Sequence, residues 1–144
     1  MCFSGGYKDL EKGLDSSKTL IAVLGIETEE AGPDLVVMTM PVDERTHQPY
    51  GLLHGGASVA LAETAASIGT FLNLDPSKQL AVGLEINANH LRSKRSGVVR
   101  ARAVPIYKGR TTMVWEIKIT DEKEKLICIS RCTMAVIDAE RVNK

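Results

Sequence analysis

The chain carries no excess of either charge, because 18 lysines and arginines cancel 18 acidic residues among its 144. An overall field that would draw nucleic acid or an anionic membrane surface is thereby excluded, and any charged partner must be recognised locally. No apolar run approaches the roughly 20 residues that a membrane helix needs. The start, MCFSGGYKDLEKGLDS, lacks the basic end and the apolar stretch of a signal peptide. The expectation is a soluble, cytoplasmic protein with neither nucleic acid nor membrane as partner. Only three cysteines are present, with no CxxC and no Cys/His metal pattern. Cys128 and Cys132 share one face of the alternating run KLICISRCTMAVI, about 13 Å apart in strand geometry and too far for a mutual disulfide. Buried, reduced thiols are expected of both. There is no internal repeat and no low-complexity tract.

What is present reads as one domain, residues 19–140, behind an N-terminal segment, residues 1–18, in which YKDLEKGL suggests a short helix. The run TLIAVLGIETEE reads as a strand. It leads through the turn signal Ala31-Gly-Pro-Asp34 into LVVMTMPV, giving a hairpin. VDERTHQPYGLLH is polar and interrupted by Pro49 and Gly51, so it is a loop. From about Gly56 to Leu74 apolar and small residues recur at steps of three and four, and Glu63 is the only charge before Asp75. A helix without a charged face is a buried helix. Four strand-length runs follow, LAVGLEINANHLR, GVVRARAVPIYK, TTMVWEIKIT and KLICISRCTMAVI, joined by short links. The class is α+β, with an antiparallel sheet wrapped around one long helix.

The helix begins directly after His54-Gly55-Gly56. Helix starts present unpaired N–H groups and about half a positive charge, and glycines let a ligand carbonyl approach those amides closely. Such amides polarise a carbonyl and hold a developing oxyanion, although Gly-Gly also serves as a tight helix entry. Glu63 tips the balance. A carboxylate on an apolar helix costs several kcal/mol unless paired or solvated, so it marks either an ion pair with an arginine or chemistry. Ser67 lies one turn further on the same face, where it can hold a water or substrate atom. Gln48 and His54 flank the glycines, and each offers an N–H donor for a carbonyl or for the loop itself. Gly55 and Glu63 are eight residues apart, about 12 Å along a helix axis. One carbonyl carbon cannot touch both. If they share a substrate, Glu63 must come from a second copy of the helix across a two-fold axis, giving two composite sites per homodimer.

HQPYGLLHGGASVALAE, VGLEINANHLRS and SRCTMAVI together resemble the hotdog-fold acyl-CoA thioesterases over about residues 20–138. The branch is that of the phenylacetate-pathway and 4-hydroxybenzoyl-CoA thioesterases, most closely the 1,4-dihydroxy-2-naphthoyl-CoA hydrolases of menaquinone synthesis. The resemblance implies an active site between subunits, dimers paired into a homotetramer, and hydrolysis of an aromatic acyl-CoA without metal or redox cofactor, coenzyme A being part of the substrate. It makes Glu63 the catalytic carboxylate, as nucleophile or as base for water, and Gly55 the amide donor to the thioester oxygen. Gln48, His54 and Gly56 stand beside that oxygen, and Ser67 lies near the attacking water. Ile68 and Leu72 are implied at the acyl pocket. His90, Arg92, Ser93, Gly109, Arg110 and Thr111 are implied around the nucleotide and pantetheine arm, with KGRTT departing from the branch pattern. Between Glu85 and Glu116 the chain has seven cations and no acid, a local basic surface suited to phosphate, although Arg100 and Arg102 also fit a solvated strand face. Two alternatives remain. One is a hotdog hydroxyacyl-thioester dehydratase using His54 with Glu63, and the other a non-catalytic acyl-CoA-binding regulatory module.

Overall fold

The computed structural model describes residues 16–142, so the expected helix over YKDLEKGL lies outside the described residues. After a 3-10 turn at Ser16–Lys18 come α1 (Leu20–Val23), β1 (Glu27–Ala31), β2 (Val36–Pro41), α2 (Gly55–Phe71), β3 (Gln79–His90), β4 (Val98–Lys108), β5 (Thr112–Thr120) and β6 (Leu126–Asp138). A last 3-10 turn, Ala139–Arg141, follows. The strands form one sheet in the order β1-β2-β4-β5-β6-β3, and every adjacent pair is antiparallel. The helix α2 packs against β2, β3, β4, β5 and β6. The α+β expectation of a sheet around one long helix therefore holds, with α2 starting one residue earlier and ending three earlier than the periodicity suggests. No helix among the described residues is long and apolar enough to cross a membrane.

One element differs from the sequence reading. The run from Thr19 does not form a single strand: its first half is α1. Thr19 Oγ1 accepts the Ala22 N–H at 3.3 Å and caps the turn. Gly25, at φ +69°, then ends it, with Gly25 N–H donating to the Ala22 carbonyl and Ile26 N–H to the Ile21 carbonyl. That bond pair is a Schellman cap, which needs a left-handed residue that glycine supplies without a Cβ penalty. The strand β1 starts only after it.

Alternation places the core. On β5, Met113, Trp115, Ile117 and Ile119 are buried against the helix side, while Lys118 is exposed. Met134, Cys132 and Cys128 on β6 and Val36, Met38 and Met40 on β2 complete that floor. On α2 the matching face is mostly small: Ala57, Leu61, Ala62, Ala65, Ala66 and Ile68 are buried. Small side chains bring the helix axis close to the sheet. Both Cys128 and Cys132 are free and buried, as expected.

Candidate active site

The loop between β2 and α2 is tied down by its own polar groups. Thr46, buried, donates from Oγ1 to the Pro41 carbonyl at 2.8 Å, and its carbonyl accepts the His54 N–H at 2.8 Å. Gln48 N–H donates to the Leu52 carbonyl and Gly51 N–H to the Gln48 carbonyl, at 2.8 and 2.9 Å. This tight turn sets the Gln48 side chain beside the helix start. Its Oε1 accepts the Tyr50 N–H, leaving the amide NH2 as the outward donor.

His54 is the N-cap of α2. Its Nδ1 accepts the Gly56 N–H at 2.7 Å. An accepting Nδ1 puts the proton of the neutral imidazole on Nε2, so the exposed edge of the ring is a donor. The Gly55 N–H has no hydrogen-bond partner among the described residues, and Gly55 is flanked by the His90 ring of β3. A Cβ at Gly55 would lie 2.7 Å from His90 Nε2. Gln48, Gly55, His90, Arg92 and Ser93 line one pocket of about 330 Å³ with Leu52, Leu53, Ser58, Leu91 and Ile127. Sequence reasoning missed Ser58, although its spacing of three from Gly55 puts both on one helix face. On the other flank of His54, a second pocket of about 270 Å³ is lined by Leu20, Leu24, Ala57 and Ala60 together with Gly56, His47, Thr46 and Arg45.

The basic surface is smaller than the sequence suggests. Three of its cations are neutralised from distant parts of the chain: Lys94 by Glu122 at 2.6 Å, Arg100 by Glu29 at 2.7 Å and Lys108 by Asp34 at 2.5 Å. Among the described residues Arg92, Arg102 and Arg110 have no acidic partner, and Arg95 donates to the Tyr50 carbonyl at 3.4 Å. Lys94 and Glu122 form a structural tie. The ammonium of Lys94, helped by the Val98 N–H, holds the Glu122 carboxyl down at about 2.

Glu63 lies half-buried, midway along α2. Among the described residues its carboxylate has no hydrogen bond and no ion pair, so the arginine bridge that the sequence left open is not formed within the protomer. It rests on β3, where a Cβ at Gly83 would lie 2.1 Å from Glu63 Oε1. Ser67 donates from Oγ to the Glu63 carbonyl at 2.7 Å, with Met134 Sδ also within 3.8 Å. Cys132, buried nearby, has its thiol pushed up to about 12 by burial, then by the charges of Glu63 and Glu85. Ile68 is in the core and Leu72 packs against it.

Within one protomer the predicted residues thus fall into separate groups. The ladder Ile119–Cys128–His90 marks one end of the sheet, the end of Gly55, Arg92 and Ser93. The ladder Thr112–Ala135–Val82 marks the other, next to Gly83 with Glu63 above it. Gly109, Arg110 and Thr111 form the β4–β5 turn at that second end, where Gly109 N–H donates to the Thr112 carbonyl at 2.8 Å.

A family model described as the thioesterase superfamily matches residues 50–128, more than half of the chain, including the helix start, Glu63 and His90. The chain belongs to the thioesterase superfamily. This thioesterase is 59% identical over 124 residues to a Bacillus subtilis protein named as an esterase, ComA2, covering 86% of this chain and 98% of that one. It is 56% identical to a 1,4-dihydroxy-2-naphthoyl-CoA hydrolase of Listeria monocytogenes, over 78% of this chain and 91% of the other. The solved thioesterase SAV0944 of Staphylococcus aureus superposes on it with a TM-score of 0.82 at 43% identity, over 83% of this chain and 99% of that one. That structure carries alanine in place of a glutamate, and a second structure of the same protein carries alanine in place of a glutamine. The two altered positions are fifteen residues apart, the separation of Gln48 and Glu63 here. The antiparallel sheet around one long helix is the hotdog arrangement, and the chain is a thioester hydrolase.

Proposed function

We propose that the protein hydrolyses aromatic acyl-CoA thioesters, 1,4-dihydroxy-2-naphthoyl-CoA among them, at two composite sites per homodimer. The observation that carries this reading is the Glu63 carboxylate, unpaired among the described residues and held at the strand that forms one edge of the sheet. Names of relatives support the substrate class. The glutamine-to-glutamate spacing shared with the Staphylococcus aureus protein supports Gln48 and Glu63 as its reacting pair.

The edge strand supports the dimer. β3 is twelve residues long, has no partner on its outer side among the described residues, and exposes Val82 and Leu84. A long strand edge with unpaired N–H and C=O groups is a template for pairing with another chain. Antiparallel pairing of β3 with its own copy, centred on Ile86 or Asn87, sets Gly83 within about a residue of His90 of the partner subunit. Since Glu63 lies over Gly83 and His90 lies against Gly55, that register carries Glu63 to the partner's helix start. Pairing of such dimers into tetramers is part of the same reading.

The thioester oxygen then meets the Gly55 N–H, with Gln48 and the His54 Nε2–H beside it. The acyl group takes the apolar pocket of Leu20, Leu24, Ala57 and Ala60, while the pantetheine arm runs through the pocket of His90, Arg92 and Ser93. Glu63 from the other subunit removes a proton from water as the water oxygen bonds to the carbonyl carbon, or adds to that carbon itself. Negative charge collects on the oxygen at the helix start, and the C–S bond breaks to release the thiolate, leaving free acid on the first route and a mixed anhydride on Glu63 on the second, which water then hydrolyses to free acid and the restored carboxylate. Carboxylate, amides and water suffice, without metal or redox cofactor. Reduced thiols and a CoA substrate suit a cytoplasmic enzyme. Thiol release from benzoyl-CoA tests the reading. Glu63→Ala is expected to lower kcat by about 10²–10⁴-fold, and near-normal turnover would refute it.

A further inference from the structure

We propose that Gly83 is a positioning residue for hydrolysis: its missing side chain forms the slot that seats the Glu63 carboxylate against the edge strand, aimed across the dimer. The inference rests on Glu63 being the reacting carboxylate. A Cβ at Gly83 would stand 2.1 Å from Glu63 Oε1 and 3.3 Å from Cδ, and real Cβ contacts essentially never fall below 3.0 Å. Backbone conformation does not explain the glycine, because the described glycines at positive φ are Gly25, Gly51 and Gly97. Room does.

The slot is built by the ladder. Gly83 pairs with Met134 and Glu85 with Thr133, so Leu84 is an extra residue in a bulge. That extra residue shifts the alternation, putting Gly83 on the same face as Ile86, Ala88 and His90, under the helix. Opposite Gly83, Met134 Sδ stands 3.6 Å from Cys132 Sγ and 3.8 Å from Ser67 Oγ. Beside the glycine that the carboxylate rests on are therefore a thioether and a thiol kept protonated by burial. None of these offers the strong donor that would tie the acid up, and the width of the slot limits where the carboxylate can sit.

The atom an alanine would strike is the far end of a flexible side chain, so Gly83→Ala should fold and move the carboxylate. With benzoyl-CoA as probe, Gly83→Ala is expected to lower kcat about a hundredfold, the cost of an ångström-scale misplacement, with KM within about threefold. In a Glu63→Ala background the same substitution should change the residual rate by nothing measurable. A kcat within about threefold of wild type would overturn the proposal, as would an equal fold-loss in both backgrounds. If Gly83→Ala did not fold, recovery of folding in the Glu63→Ala background would support the clash, and misfolding in both would overturn it. If Glu63→Ala alone kept full turnover, the reading of Glu63 would fall first and the proposal with it. If Glu63→Ala were inactive and Gly83→Ala active, only the proposal would fall.

Discussion

Thr70 and Trp115 meet in the centre of the core, both fully buried, with the indole N–H donating to Thr70 Oγ1 at 2.9 Å. Thr70 Oγ1 in turn donates to the Ala66 carbonyl at 2.9 Å, so the pair is fully satisfied. Thr70→Val keeps the shape and strands a buried donor, so urea denaturation should show a loss of about 1–3 kcal/mol. Single residues also mark the limit of what the sequence reveals. Glu63 is legible because a lone charge among alanines is improbable without a purpose. Its seat is not, because the Gly83 slot depends on a bulge at Leu84 that appears only when β3 pairs with β6, setting Gly83 opposite Met134, 51 positions further along. Lys94, Arg100 and Lys108 read as a basic surface only because Glu122, Glu29 and Asp34, which neutralise them, are 28, 71 and 74 residues away.

Elements were legible where periodicity lasts. The helix α2 and the strands β3 to β6 follow from steps of three and four or of two, sustained over nine residues or more. The stretch IAVLGI is too short for that test, and its β-branched residues favour a strand by propensity alone. Thr19 and Gly25, the capping signals, settle it as a helical turn. The connection from β3 to β4 depends on a tie of a different kind. Glu122, in the β5–β6 turn, accepts from Lys94 at 2.6 Å and from the Val98 N–H at 2.6 Å. These bonds hold its carboxyl at about 2 against an ordinary 4.5. A lowered carboxyl contributes stability that is present above its unfolded value and lost as pH falls toward its folded value. Glu122→Gln should therefore melt below wild type at neutral pH, and the gap between their melting curves should narrow from about pH 4.5 down to about 2. A gap independent of pH would contradict this.

At the scale of the whole molecule, one protomer separates Gly55 from Glu63 by about 12 Å of helix, and its open sheet edge lies beside both. That offset was legible from the number eight between two residues. The edge proposed to resolve it was not, since strand order is set by contacts that no local pattern reveals. Charging the edge tests the assembly: Leu84→Lys, at a position 64% exposed in the protomer, should shift sedimentation from oligomer toward monomer and abolish turnover while leaving the circular dichroism of the fold intact. The proposed assembly of each site from two chains is read out by subunit complementation. Glu63→Ala and Gly55→Ala chains, each inactive alone, would be co-expressed and assayed for thiol release from benzoyl-CoA. Random pairing leaves half the dimers mixed, each with one intact site, so recovery to about a quarter of wild-type activity is expected. A mixture no more active than its two parents would contradict it.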